Sequence, residues 1–467
     1  MQRLSALDAS FLRVESESAH MHVGWLATLE LPDGSEQLDI AGVVRRLQSR
    51  LHLVPRFRQL VEQPAGGLGP HAWVDAPDFA IERHVTVDAP DRMGETHLLR
   101  RVDRFFSEQL PRDRPLWRLH LIPRLQGRRA AIIGKVHHAM VDGIAAVQLG
   151  LLLFDADPDA PESTDPPVPW EPVASSPVKL AVDTARDTAL EQFRAARRTV
   201  ELGLSPGRGI RMADSMRRAA FSLVDDVRKP APDSYLNVPI GPNRRLVGAK
   251  LSMPRALELK ERTDTKLNDV VLATVAGALA KLAAAHGERP KDLRVMVPVN
   301  VRETGRAGIP SQGNAISFMF VDLPIEASSA RERLQLVHER TRALKDEGRV
   351  AGTHQVMRLL ELLPGPVQGQ AARFAASPRM YNLTISNVPG PPIPLYLAGA
   401  KVRSILPVIP IPDRHALAIG ALSYQDKLHL SAYLDPDALP KGGRLPLMLA
   451  DAFEELEIGT RATATAR

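Results

Sequence analysis

An α+β fold of two units joined by a proline-rich crossover is what the sequence predicts. Strand-like and helix-like segments alternate up to about residue 155. Between Asp155 and Pro177 the chain then carries Pro158, Pro161, Pro166, Pro167, Pro169, Pro172 and Pro177, a density that no helix or central strand tolerates. From Leu246 the mixed pattern returns. At 467 residues and 44% hydrophobic content the chain can fill two or three cores, at roughly 100–200 residues per unit.

In the first unit, residues 1–155, Val23–Leu31 reads as a strand. Leu38, Val43, Val44, Leu47 and Leu51 then recur at helical spacing. A second helix is expected over His97–Leu110, with Leu98, Val102, Phe105 and Phe106 on one face. Trp117–Ile122 and Ala130–Val136 are apolar runs separated by Leu125-Gln126-Gly127-Arg128, the signature of a hairpin. Gly143–Phe154 returns to helical composition. Residues 156–245 form the linker and crossover, with helices expected over Val178–Leu204 and Met212–Val227. The second unit, 246–458, is expected to hold strands at Leu293–Val299, Ala315–Val321, Leu383–Asn387, Val402–Val408, Leu417–Tyr424 and Leu428–Leu434. Its helices fall over Pro254–Arg262, Asn268–His286, Ala330–Leu344, Thr353–Leu363 and Pro446–Leu456, and the tail Gly459–Arg467 reads as disordered.

Composition removes several functions. There is no cysteine, hence no disulfide, thiolate metal site or thiol nucleophile, and a reducing cytoplasm fits. Sixty basic residues against 54 acidic give a net charge of +6 spread along the chain, which favours anionic surfaces in general. Aromatic residues are only 4% and are not interleaved with basic blocks, so nucleic acid is not an expected partner. Arg3, Asp8, Arg13 and Glu15 interrupt any signal-peptide core. The apolar stretch Val270–Ala280 stops at Lys281, short of the roughly 20 residues a membrane span needs.

The chemistry concentrates in Lys135-Val136-His137-His138-Ala139-Met140-Val141-Asp142-Gly143, which leaves an apolar strand and enters a helix. Neighbouring residues of an extended chain face opposite ways, so only one of the two histidines serves a given pocket. Histidine suits the removal of a proton from a hydroxyl, since its ordinary pKa of about 6.5 leaves it largely neutral at physiological pH. Asp142 would orient the ring or the loop, and Gly143 would allow a close backbone approach. The competing readings are a core histidine pair with an aspartate helix cap, and a metal site. The run offers at most three metal ligands and no nearby partner, so no metal is expected.

His137-His138-Ala139-Met140-Val141-Asp142-Gly143 resembles the active-site heptad of the wax ester synthase/diacylglycerol acyltransferase family, within the chloramphenicol-acetyltransferase-like and condensation-domain superfamily. The resemblance extends through Leu4–Leu12, Met21-His22-Val23-Gly24, Pro115-Leu116-Trp117, Asn268-Asp269-Val270-Val271-Leu272-Ala273 and Asn387-Val388-Pro389-Gly390-Pro391, in order along essentially the whole chain. It implies two chloramphenicol-acetyltransferase-like lobes with the heptad between them. His138 would act as base, supported by His137 and Asp142, and Arg302 resembles the superfamily arginine that pairs with the motif aspartate. The implied substrates are acyl-coenzyme A and diacylglycerol or a fatty alcohol, with no cofactor, at a membrane or lipid-inclusion surface.

The residues alone leave alternatives. Pro115, Leu116 and Trp117 would pack beside the catalytic strand or touch substrate. Asn268 and Asp269 would cap a helix. Asn387–Pro391 would line an acyl tunnel or shape the domain. Arg244-Arg245 is a weak candidate for the phosphates of coenzyme A, and Val178–Leu204 would lie on a lipid surface or pack on a lobe. A transferase using carrier-bound acyl groups and an inactive lipid-binding protein are the competing functions. The Pro-Leu-Trp and Asn-Asp blocks argue against the first, and the intact heptad against the second.

Overall fold

The expected hairpin forms where the sequence places it. Its loop turns through two left-handed residues, Gly127 (φ 76°) and Arg128 (φ 55°), and glycine takes that geometry without a Cβ penalty. The computed structural model describes residues 2–63, 71–89, 91–140, 153–160, 169–173, 182, 186, 190, 228–300, 316–346 and 365–461. Its strands are β1 (Gln2–Arg3), β2 (His22–Glu30), β3 (Gln59–Glu62), β4 (Ala72–Asp75), β5 (Val85–Val87), β6 (Trp117–Leu125), β7 (Arg129–His137), β8 (Arg245–Ser252), β9 (Leu293–Asn300), β10 (Ile316–Leu323), β11 (Leu383–Val388), β12 (Tyr396–Leu397), β13 (Ala400–Val408), β14 (Leu417–Tyr424) and β15 (Lys427–Leu434). The helices of eight or more residues are α1 (Ala6–Val14), α2 (Ile40–Arg50), α3 (Glu95–Ser107), α4 (Met253–Arg262), α5 (Leu267–His286), α6 (Ala330–Asp346), α7 (Gly365–Ala375) and α8 (Leu445–Arg461).

Two six-stranded sheets organise these elements. The first has the order β12-β13-β2-β7-β6-β5 and the second β10-β9-β11-β14-β15-β8, while β1, β4 and β3 make a small third sheet. The hairpin strands carry near-continuous apolar runs because both faces of β7 are covered. On one face Ile132 and Val136 join a core with Leu47 and Leu51 of the α2 region. On the other, Ala131 and Ile133 share a core with Phe105 and Phe106 of α3.

That second core does not stop at the first lobe. It runs on into Leu251, Leu430 and the buried face of α5. Helix α5 is apolar all round and almost wholly enclosed from Asp269 to Leu279, which marks it as a core helix despite its length and composition.

Strand β13 departs from the expected division of the chain. Its sequence neighbours lie in the second unit, yet it pairs antiparallel with β2 from Lys401↔Glu30 to Val408↔Gly24. The alternation of residues 402–408 identifies a strand but cannot say which sheet edge it completes. The crossing strand also meets the second sheet: a Cβ on Gly248 of β8 would sit 2.6 Å from Leu406, and one on Gly420 of β14 2.9 Å from Pro407.

The proline-rich segment is laid on the first lobe where it is described. Asp155 exchanges backbone hydrogen bonds with Tyr396, both 2.8 Å, and Trp170 donates to the Ala76 carbonyl at 2.9 Å. The expected helices at Val178–Leu204, Met212–Val227 and Thr353–Leu363 lie outside the described residues, apart from isolated positions in the first. At the tail, Gly459–Arg461 continue α8, because Thr460 turns a buried hydroxyl back onto the Leu456 carbonyl.

Gly24 has no room for a side chain. A Cβ there would lie 2.3 Å from the backbone oxygen of Gly134 and 2.8 Å from the Phe106 ring. Gly24→Ala should therefore cost about 1–3 kcal/mol through overpacking, read as a lower urea midpoint at unchanged m value.

Candidate active site

His137 is the last residue of β7 and lies directly opposite His22 of β2. The alternation of the strand sends its side chain to the same face as Lys135, where it is fully buried. Its Nδ1 accepts the Ala139 amide at 3.0 Å, so the ring proton sits on Nε2. Nε2 faces Oε1 of Glu15 at 3.5 Å, a long contact but one between opposite partial charges. Glu15 caps the C-terminus of α1 and is ion-paired in turn with Arg112. Both ring nitrogens of His137 are thus directed at groups of the protein itself.

His138 has a different setting. The strand ends and the backbone turns: the His138 amide donates to the Met21 carbonyl at 2.8 Å, and the Met140 amide to the His137 carbonyl at 2.9 Å. The imidazole is half-buried and stacks on Phe11 of α1, with centroids 3.9 Å apart and planes within 10°. Leu4 and Ala9 in this N-terminal region belong to the same core as Val136, so His138 lies on the Val136 side of the sheet and His137 on the other. Asp142, Gly143 and Arg302, the remaining heptad and pairing residues, lie outside the described residues.

The Pro-Leu-Trp block supports the histidine-bearing strand β7 directly. The Leu116 carbonyl accepts the His137 amide at 2.9 Å. Pro115, Leu116 and Trp117 are all buried. Trp117 stacks on His84 at 4.4 Å and donates its indole N–H to the Phe57 carbonyl at 2.8 Å.

The Asn-Asp block is structural at Asp269 and bridging at Asn268. Buried Asp269 accepts the Lys266 amide at 3.0 Å, closing the start of α5, and also takes hydrogen bonds from His338 and Thr341 of α6, each 2.8 Å. Asn268 accepts from the Asn387 amide at 3.3 Å, so the Asn-Asp and Asn-Val-Pro-Gly-Pro blocks touch across the second lobe.

Arg244 cannot meet a phosphate as the sequence reading allowed. It is 1% exposed, and its guanidinium is spent on the carbonyls of Gly241 and Asn243, each 2.7 Å, and of Ser18. Among the described residues no cluster of three or more His, Asp or Glu side chains is placed to hold a metal.

Sequence reasoning missed the polar layer behind His137. Glu15 reads only as one more charge near the N-terminus, and Lys135 as a strand residue. Lys135 is 2% exposed and donates to the Phe105 and Glu108 carbonyls at the C-terminal end of α3. Burial first, and then Arg118, lower its pKa to about 7, against the pull of Glu108. Burial also lowers His20, His22 and His137, and takes His22 well below the usual histidine range. For Glu15 burial works upward, but the hydrogen bond and charge of His137 and the charge of Arg112 outweigh it and hold the carboxylate below its ordinary value.

Two six-stranded sheets, the first completed by a strand from the second unit, with a His-His turn at the end of a central strand, make the two-lobed architecture of condensation domains. The chain belongs to the wax ester synthase/diacylglycerol acyltransferase family: that family's catalytic-domain model matches residues 4–271 and its C-terminal-domain model residues 312–457. A probable diacylglycerol O-acyltransferase of Mycobacterium tuberculosis is 30% identical over 477 residues, covering 100% of this chain and 98% of that protein. The wax ester synthase/diacylglycerol acyltransferase of Marinobacter aquaeolei is similar in structure, with a TM-score of 0.69 at 26% identity over 98% of this chain and 99% of that one. The first condensation domain of the calcium-dependent antibiotic synthetase shares the fold, with a TM-score of 0.60 at 18% identity over 98% of this chain and 96% of that one.

The buried histidines make stability depend on pH with a definite sign. Their folded pKa values lie below the unfolded value of about 6.5, so the stability gained by keeping them neutral is present above that pH. It is lost as pH falls and the unfolded chain takes up protons that the folded one refuses. The unfolding free energy from urea titrations should drop between about pH 7.5 and pH 5.5, by up to about 1.4 kcal/mol per pH unit for each ring. His22→Gln should flatten that slope.

Proposed function

We propose that this acyltransferase moves a long-chain acyl group from acyl-coenzyme A to the hydroxyl of diacylglycerol, with His138 as the general base. The observation that carries the assignment of the base is the enclosure of His137. His137 is fully buried, with Nδ1 accepting the Ala139 amide and Nε2 turned towards Glu15 at 3.5 Å, so its ring is closed off from a substrate. His138 is half-buried, and its ring plane is set by Phe11. As the hydroxyl oxygen bonds to the thioester carbonyl carbon, His138 takes its proton. When the carbon–sulfur bond breaks, the same imidazolium returns that proton to the departing thiolate. The chain lacks cysteine, and this route needs no covalent acyl-enzyme.

Diacylglycerol as acceptor is supported by the names of the mycobacterial relatives, two of which match this chain at 30% and 31% identity. A long-chain alcohol is the second acceptor, since the family name and the Marinobacter protein's carry both activities. Either acceptor partitions into lipid, so the reading places the enzyme at a membrane or lipid-inclusion surface on the cytoplasmic side.

The test is release of free thiol together with formation of the lipid product, using purified protein, palmitoyl-coenzyme A and each acceptor. His138→Ala should lower turnover about 10²–10⁴-fold in a folded protein, and near-normal turnover would remove His138 as the base. His137→Ala should lose activity partly, together with stability.

Glu15 is a positioning residue in this scheme, since it reaches the site only through His137. Glu15→Ala should lower kcat about tenfold at unchanged KM, with Glu15→Gln intermediate because it keeps an acceptor. A change confined to KM would mean that Glu15 acts on substrate instead.

A further inference from the structure

Between Glu361 and Asp413 the sequence has no aspartate or glutamate, and α7 lies near the start of that stretch. The helical period divides α7 into two faces. One is turned to α1: Gln368 accepts from Arg13 at 3.0 Å, and buried Gly369 lies against the Arg13 stem. Val367, Gln370 and Phe374 share the opposite, outward face, where Val367 is 47% and Phe374 40% exposed. Two large apolar side chains left bare on one helical stripe mark a contact surface.

The flanks of the stripe say what it meets. Arg373 and Arg379 are exposed beside it. The Arg379 carbonyl accepts the Ala231 amide at 2.8 Å, which brings exposed Arg228 and Lys229 close, with Asp233 as the acid of that segment. Other helices with bare apolar residues have a different setting. Leu447 and Ile458 of α8 share their stripe with Asp451 and Glu454, and Leu257 of α4 is followed by Glu258. An anionic bilayer is repelled by those acids and attracted by the arginines of α7.

The place of α7 in the fold connects this surface to the chemistry. Its inward face rests on α1, and Phe11 of α1 stacks on His138 at 3.9 Å. Two helix layers, with axes about 8–10 Å apart when packed, separate the bare stripe from the proposed base.

We infer that the α7 stripe bearing Val367 and Phe374 docks on an anionic lipid surface, and that the diacylglycerol acceptor reaches His138 from that surface. The inference rests on the acyl-transfer reading above. On docking, the apolar pair enters the acyl boundary while the arginines meet phosphate headgroups. The lipid contact is thereby assigned to the second lobe rather than to the helix over 178–204 considered from the sequence.

The experiment is flotation of the full chain with vesicles of phosphatidylcholine, alone and with added phosphatidylglycerol. The wild type should float with the anionic vesicles and be released by salt. Val367→Glu/Phe374→Glu should bind them about tenfold more weakly or worse, at an unchanged urea midpoint because both residues are exposed. Arg373→Glu/Arg379→Glu should lose the preference for phosphatidylglycerol, about fivefold per arginine. Leu447→Glu/Ile458→Glu on α8 should float like the wild type. Wild-type flotation of both α7 variants overturns the assignment, as does a loss seen instead with Val182→Glu/Leu190→Glu, at exposed positions of the crossover.

Turnover is read separately, with palmitoyl-coenzyme A and either dioleoylglycerol in anionic vesicles or hexanol dissolved in buffer. Val367→Glu/Phe374→Glu should lower transfer to the vesicle-borne acceptor about tenfold and keep transfer to hexanol. An equal loss with both acceptors would mean that α7 acts on the chemistry, and would remove the docking role. No transfer to either acceptor by the wild type would sink the acyl-transfer reading, and flotation would still decide the docking face.

Discussion

Strand β13 is the constraint on which the rest of the structure depends. Its backbone completes the first sheet along β2, while its side chains at Leu406 and Pro407 press on the bare backbone of Gly248 and Gly420 in the second. A ladder bond is worth about 1 kcal/mol net, so seven registered pairs make a junction that neither lobe can leave without exposing an edge. Ser431 seals the contact by donating to the Pro407 carbonyl at 2.5 Å, and Thr28 bonds Ser404 at 2.6 Å on the first-sheet side. The two lobes thus share a core, and the histidine-bearing strand β7, next but one to β13, is fixed relative to both.

The His-His turn inherits this rigidity. Strand β7 is flanked by β2 and β6, and its last residue is held from three directions: the Leu116 carbonyl on its amide, Ala139 on Nδ1 and Glu15 facing Nε2. Helix α1 contributes twice, through Phe11 against His138 and through its capping residue Glu15 against His137. It is in turn tied to α7 by Arg13, which donates to Gln368 at 3.0 Å. The opening block of the sequence, remote from the heptad along the chain, is therefore part of the site's scaffold.

Behind the site lies a concentration of basic groups in a dry setting. His20, His22 and His137 form a file of rings 5.4 and 6.4 Å apart, bordered by Lys135 and Arg244. Burial disfavours charging these histidines, so they act as neutral, hydrogen-bonding spacers beneath the turn. Lys135 and Arg244 spend their donors on backbone carbonyls: Lys135 at the end of α3, and Arg244 on Ser18 across the lobe junction. Positive charge is thereby used as connective structure, and the chain's modest basic excess says little about its ligands.

The sequence by itself determined the element types and the heptad. Alternation and helical spacing identified β7, its hairpin partner, α2, α3, α5 and most strands of the second lobe to within a few residues, because those patterns follow from which face each residue buries. Asp269 was legible as a cap, since capping is local and needs only neighbours three residues away. Residue order could not tell that β13 pairs with β2, because strand alternation is the same whichever edge a strand completes. Nor could it separate the roles of His137 and His138: that distinction depends on Glu15 and Phe11, brought from more than a hundred residues away by the packing of α1. Arg244 looked like an anion ligand for the same reason, and only burial against Ser18 decided otherwise. Local physics wrote the strands and the heptad into the chain, while the pairing of edges and the environment of each ring were decided by contacts that exist only once both lobes have closed on β13.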